Sequence, residues 1–190
     1  MSNQAKGSVT EQVFEAAATY YQNSRQLSWY KTYPEFVVLE HYEGGHVRGF
    51  FRDKATADYV LSVVVQDDLG RPYSQSVWIE VKGFSVKKLT HTRKHKQGLH
   101  QFDQMMQASE DGLAWGFYLV EWSVKNNDPV WSLHDVHDLE RKADHIIFRY
   151  EAGHPVNMTY GWPEFRPAII HLMAHDASLR RWAGLVLPPL

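Results

Sequence analysis

Asp58, Glu80 and Lys82 are the residues of this chain whose types and spacing could do chemistry together. Glu80 and Lys82 flank Val81 at the end of an apolar run, Val77-Trp78-Ile79. Alternation along a strand puts both on one face and turns Val81 to the core. A second strand beginning near Asp58 and running antiparallel brings another carboxylate alongside, so two carboxylates and an ammonium converge at one edge of a sheet. Carboxylates suit a hard divalent cation, Mg²⁺ or Mn²⁺, that polarises a phosphodiester and activates water. A lysine beside them orients or deprotonates the nucleophile, or stabilises charge on the phosphorane. Glu-x-Lys is also common on solvated strand ribbons. Here it closes an apolar strand, is followed at once by Gly83 and a basic stretch, and has an Asp upstream.

That basic stretch gives the charge a direction. The chain has 20 Lys and Arg against 22 Asp and Glu, for a formal net charge of −2. From Val81 to His100 it carries Lys82, Lys87, Lys88, Arg93, Lys94 and Lys96, with three histidines and no acid, on an otherwise acidic body. Such a strip is an electrostatic footprint for a polyanion. Lys87, Lys88, Arg93, Lys94 and Lys96 are accordingly read as DNA-binding, and His91, His95 and His100 as helping to bind phosphate.

The elements that must position these residues follow from periodicity and punctuation. Residues 8–23 predict a helix, capped by Ser8 or Thr10, with Val13, Phe14, Ala17, Ala18 and Tyr21 as its apolar face. Leu27–Tyr33 reads as extended, and Phe36–Tyr42 and His46–Phe51 as a hairpin about Glu43-Gly44-Gly45. Tyr59–Gln66 and Val77–Val81 predict neighbouring antiparallel core strands joined by the turn Asp67–Pro72. A second helix is expected over Gly98–Ala108, strands over Leu113–Trp122 and Val130–His134, and helix near Val136–Lys142. Irregular chain is expected over Ile146–Pro167 and a last helix over Ala168–Trp182. This order implies an α/β fold, a mixed central β-sheet flanked by helices. Residues 1–144 are expected to form the functional core and 145–190 a C-terminal extension packed on the same domain.

Thr56-Ala57-Asp58-Tyr59, Glu80-Val81-Lys82 and His100-Gln101 opening a helix together resemble the RecU-type Holliday-junction resolvases of the PD-(D/E)XK superfamily. Lys31-Thr32-Tyr33-Pro34 and Gly112–Trp122 extend the resemblance to roughly residues 7–140. It implies a restriction-endonuclease-like core with a protruding β-hairpin stalk at residues 33–52. It implies Thr56, Asp58, Glu80 and Gln101 around the metal and Lys82 at the scissile phosphate. It also implies a homodimer that nicks opposing strands of a four-way junction, with Lys31, Arg48 and Arg52 touching phosphates near the stalk. Lys6-Gly7-Ser8-x-x-Glu11 resembles the start of archaeal junction resolvases, where a first-helix Glu completes the acidic site. Glu11 is thus a third candidate acid, with Glu15, one turn on, as the alternative.

Other signals point away from chemistry. There is no cysteine, so disulfides and thiolate catalysis are excluded. No apolar run approaches 18 residues and the N-terminus has no signal-peptide core, so a cytoplasmic protein with no membrane span is expected. His171 and His175 have i, i+4 spacing, but Leu-Met-Ala between them lacks the Glu of a metalloprotease helix. His134 and His137 read as surface or core polar residues. Trp115, Trp122 and Trp131 read as core, while Trp29, Tyr30 and Tyr33 are candidates for DNA or dimer contact. Two alternatives to a junction resolvase stay open: a restriction or repair nuclease acting on ordinary duplex, and a non-catalytic DNA-binding recombination module.

Overall fold

A computed structural model of the chain describes residues 3–32, 36–41, 47–51, 57–66, 69–90, 92–159 and 163–182, with 3–8, 36–41, 47–51 and 175–182 as backbone alone. Its elements are α1 (Asn3–Asn23), β1 (Leu27–Lys31), β2 (Phe36–His41), β3 (Val47–Phe51), β4 (Tyr59–Gln66), β5 (Pro72–Val86), β6 (Arg93–His95), α2 (Leu99–Glu110), β7 (Trp115–Val124), β8 (Val130–Asp135), β9 (Glu140–Arg141), β10 (Ile146–Phe148), β11 (His154–Val156) and α3 (Phe165–Trp182).

Six strands form one mixed sheet in the order β1-β4-β5-β7-β8-β11. β4 and β5 pair antiparallel from Tyr59↔Ile79 to Gln66↔Pro72. β5 and β7 pair parallel along ten residues, from Val77↔Trp115 to Val86↔Val124. A parallel pair needs a crossover, which β6 and α2 supply. The architecture is therefore a central mixed sheet flanked by helices, as expected.

Alternation divides the side chains of β5 and β7 between two cores. Val77, Ile79, Val81, Phe117 and Leu119 join Phe14 and Ala18 of α1 and Phe165 and Ile169 of α3. Tyr118, Val120, Trp122 and Val86 join Phe102 and Met105 of α2 and Ile146 and Phe148 of β10. Glu80 and Lys82 belong by alternation to this second face. Both faces are covered and β5 lies between β4 and β7, so the strand that carries them is a core strand, as expected.

Several boundaries differ from expectation. α1 starts at Asn3, so Ser8 and Thr10 lie inside it and neither caps it. Thr10 instead packs against β5. A Cβ at Gly83 would stand 2.8 Å from Thr10 Oγ1, so the absent side chain lets helix and strand close together. β5 runs on to Val86, and the basic strip is not a free loop, since Arg93–His95 pairs with Ile146–Phe148. Helix near 136–142 is overturned: a 3₁₀ turn over Val136–Asp138, where Asp135 accepts the His137 N–H, gives way to β9. The stretch read as irregular holds β10 and β11, both too short to show a period. β11 pairs with β8, and Arg166 in the first turn of α3 donates to the carbonyls of Gln26 and Val64. β2 and β3 pair antiparallel in a two-stranded sheet of their own, with a register shift between Val38 and Glu40, while the turn at 43–45 lies outside the described residues.

Candidate active site

The site begins where β4 begins. Thr32, just past β1, donates its N–H to the Asp58 carbonyl at 2.9 Å and its hydroxyl to the Ala57 carbonyl, fixing the turn that leads into Tyr59. Ala57 is fully buried, which anchors that turn from the other side. Asp58 then faces the Glu80 step of β5. Its N–H donates to Glu80 Oε2 at 2.9 Å, and its Oδ2 accepts the Val81 N–H at 2.9 Å. Each carboxylate is held by a backbone donor of or beside the other's residue, so neither depends on a flexible partner.

Lys82 closes the group. Its Nζ donates to Glu80 Oε1 and lies 3.9 Å from Asp58 Oδ2. Gln101, in the first turn of α2, donates from Nε2 to Glu80 Oε2 at 3.1 Å. The reach of Gln101 depends on Gly98, whose φ of +77° turns the chain sharply into α2. A Cβ at Gly98 would meet Gln101 Oε1 at 3.0 Å.

Burial and charge pull against each other here. Glu80 is fully buried, and burial pushes its carboxyl up to about 7, with the Asp58 charge acting the same way and the Lys82 ammonium opposing both. Burial works against the Lys82 charge too, but Glu80 and Asp58 outweigh it and hold the ammonium above the usual lysine range. Lys82 is therefore a cation, suited to stabilising charge and not to abstracting a proton.

Could these residues hold a divalent ion? The donors are carboxylate and amide oxygens, the set a hard cation prefers. Two carboxylates face one ammonium, leaving a negative charge for a cation to balance. Tyr118, opposite Glu80 in the β5–β7 register, has a buried hydroxyl with no hydrogen-bond partner among the described residues, and the charges of Glu80 and Asp58 act on it. A hydrated ion beside the carboxylates would give that hydroxyl a partner, so the donor set fits. Among the described residues no three His, Asp or Glu form a ready-made cage. An ion here would rest on Asp58 and Glu80 with the Gln101 amide.

Glu11 and Glu15 form a neighbouring cluster. Lys31 Nζ bonds Glu11 Oε2 at 2.6 Å and Glu15 Oε1 at 3.2 Å, and the Tyr59 hydroxyl donates to Glu15 at 2.7 Å. The charge of Glu11 also acts on Lys82. Lys31, expected to touch phosphate, is thus placed on two carboxylates. Thr56 and Arg52 lie outside the described residues, and Arg48 is described as backbone only. Lys87, Lys88 and Lys94 are exposed, Arg93 is half-buried, and Lys96 lies 3.6 Å from Asp144.

Two residues beside the group were not assigned there from sequence. Tyr118 could have been found only from the parallel pairing of β5 with β7, which no local pattern announces. His95 shares a face of β6 with Arg93, and Lys82 acts on it electrostatically. A cavity of about 500 Å³ lined by Val9, Gln12, Val13, Tyr20 and Met158 contains none of these residues.

No protein-family model and no curated protein matches the chain. Among solved structures it is similar to Hjc from Archaeoglobus fulgidus, a Holliday junction resolvase from an archaeal hyperthermophile. That likeness has 13% identity and a TM-score of 0.41, and covers 78% of this chain and 87% of the other. At that score it assigns neither family nor activity. No helix among the described residues is long and apolar enough to cross a membrane.

Proposed function

We propose that the chain is a divalent-metal-dependent DNA endonuclease that resolves four-way junctions by paired nicks, acting as a homodimer. The observation that carries the nuclease reading is the interlock of Asp58, Glu80, Lys82 and Gln101. Strand ends, a helix start and reciprocal backbone bonds hold two carboxylates and an ammonium together at a cost in buried charge. A purely structural role gives no reason to keep that cost, because an apolar set of the same volume would serve as well.

Asp58, Glu80 and Gln101 would hold Mg²⁺ or Mn²⁺, with Thr56 added by the sequence resemblance. When bound, the ion polarises the scissile phosphate and lowers the pKa of a coordinated water. Lys82 holds a positive charge where negative charge grows on the phosphate as the new P–O bond forms and the old one breaks. Gln101 keeps Glu80 from rotating, and the Glu11 charge adds to those of Glu80 and Asp58 in favouring the Lys82 ammonium.

The junction and dimer parts of the reading rest on the sequence resemblance and the basic strip. Exposed Lys87, Lys88 and Lys94 offer phosphate contacts near β5 and β6. In this reading residues 1–144 form the nuclease core, the hairpin of 33–52 reaches into the branch, residues 145–190 pack on the core, and two-fold symmetry pairs the cuts.

The test is cleavage of a labelled four-way junction and a linear duplex of matched sequence, with Mg²⁺, Mn²⁺ or chelator, by wild type, Asp58→Asn and Lys82→Ala. Metal-dependent nicks in the junction alone, lost in both variants, support the whole reading. Cutting of both substrates keeps the nuclease and replaces the resolvase with a duplex enzyme. Binding without cutting makes the chain a non-catalytic recombination module.

A further inference from the structure

His154 and His171 belong to none of the clusters above. His154 lies on β11 and His171 on α3, and their ring centroids are 5.3 Å apart. The fold brings them together by ordinary packing. Val156 stands two residues beyond His154, on the same face of β11. It is buried in the core that holds Ala168, Ile169 and Met173 of α3, so that face of the strand is turned to the helix. His171 follows Ala168 by three residues and stands where the buried side of α3 meets solvent. His154 is half-buried and His171 exposed, so the pair lies at the open seam between strand and helix.

Neither imidazole hydrogen-bonds another described residue. In its neutral form each keeps one nitrogen lone pair to offer. Their separation suits an ion held between them. Zinc–nitrogen bonds run about 2.0–2.1 Å and a ring centre lies about 1.1 Å behind its nitrogen, so two rings on one tetrahedral ion are centred about 5.2 Å apart. The sequence adds a matching signal, since His175 follows His171 at the i, i+4 offset of helix histidines that share a zinc ion. The Glu missing between them is the base of a protease and not a ligand, so its absence removes hydrolysis and leaves binding.

We propose that His154 and His171 form a metal site for a transition ion of the Zn²⁺ class, separate from the Asp58–Glu80 centre, that pins β11 to α3. Imidazole suits such ions, whereas carboxylates select hard ones, so the two sites sort different metals. β11 is the last strand of its sheet and pairs with β8 over three residues. An ion across the seam would fasten an element that few backbone bonds hold. The site does not depend on the endonuclease reading.

The experiment titrates untagged, metal-free protein with Zn²⁺ by calorimetry, for wild type, His154→Ala, His171→Ala and Asp58→Asn, and measures each melting temperature with and without the ion. Zn²⁺ is expected to bind wild type and raise its melting temperature. Each histidine variant should bind about tenfold or more weakly and lose that rise, while Asp58→Asn retains both. Should a histidine variant fail to fold, the imidazole NMR signals of wild type carry the test: those of His154 and His171 should shift with Zn²⁺ and stay in place with Mg²⁺. Equal Zn²⁺ affinity in wild type and both histidine variants overturns the proposal. So does a loss confined to Asp58→Asn, or ring signals that Zn²⁺ leaves unmoved.

Discussion

Asp58 and Glu80 are each held by a backbone N–H of the other residue or of its chain neighbour: the Asp58 N–H binds Glu80 Oε2, and the Val81 N–H binds Asp58 Oδ2, both at 2.9 Å. The arrangement fixes two carboxylates on neighbouring strands before any ligand arrives. Preorganisation of this kind is what a phosphoryl-transfer site requires, since most of its catalysis is positioning and electrostatics.

The buried pair gives the first prediction. Lys82→Met removes the ammonium that favours the ionised form of buried Glu80, so Glu80 must either stay charged without a partner or take up a proton, and the variant is expected to lose roughly 2–4 kcal/mol of stability at pH 8. Glu80→Gln combined with Lys82→Met removes both charges and should regain most of that loss while remaining inactive. Urea denaturation of the single and double variants measures the coupling. Equal losses in both would show that the pair is not interacting as described.

Glu11 and Glu15 separate by their partners. Glu15 is occupied by Lys31 and the Tyr59 hydroxyl, whereas Glu11 bonds Lys31 alone and its charge acts on Lys82. Glu11→Gln is expected to lower the cleavage rate at least tenfold with little change in melting temperature. Glu15→Gln should cost about 1 kcal/mol of stability and leave the rate within threefold. The reverse pattern would move the first-helix acid to Glu15.

Titration of buried groups sets the pH dependence of stability. Burial holds His134 near 4, and burial with Lys82 holds His95 near 4, both below the ordinary 6.5. Their contribution is complete above pH 6.5 and is lost as the pH falls toward 4. Glu80, raised from 4.5 to about 7 chiefly by burial, acts oppositely, destabilising the fold as the pH rises through that window. Between pH 5 and 6.5 two protons against one leave a net rise of roughly 1.4 kcal/mol per pH unit. His134→Gln should flatten that rise, and Glu80→Gln should steepen it. Thermal melts across the window read both, and an unchanged slope in His134→Gln would contradict the buried neutral imidazole.

Salt dependence separates cations that face DNA from those already paired. Lys87 and Lys88 are exposed with no ion pair among the described residues, while Lys31 is held by two carboxylates. Replacing both Lys87 and Lys88 with Ala should reduce the slope of log affinity against log salt by about 1.8, and Lys31→Ala should leave it unchanged. Fluorescence anisotropy on a labelled junction gives the slopes, and an equal change for Lys31 would place that lysine on the DNA.

How much of this was legible in the chain depended on whether a residue's role was local. Asp58, Glu80 and Lys82 could be found because period-two alternation in an apolar β-branched run fixes which side chains share a face. Gln101 came from the family resemblance alone, because a glutamine in the first turn of a helix announces no role by itself. That β5 and β7 are parallel partners was not legible, because β7 is reached only across α2. β6, β10 and β11 are three residues each, too short for a period, and Arg93-Lys94-His95 carries no apolar signal at all. The pairing of Lys31 with Glu11 and Glu15 joins a strand to a helix, and nothing local to Lys31 marks it as engaged. Its charge, beside the stalk that the resemblance implied, suggested phosphate.

The central claim is that Asp58 and Glu80 hold a metal centre for phosphodiester cleavage. It is tested most directly by single-turnover cleavage of a junction labelled on all four strands, comparing wild type with Asp58→Asn at matched folding and matched junction affinity. The account predicts metal-dependent nicks on two opposing strands by wild type, and a rate at least 10³-fold lower for the variant. Wild-type protein that binds the junction but leaves every strand intact with both Mg²⁺ and Mn²⁺, or a variant that cuts as fast as wild type, would contradict it.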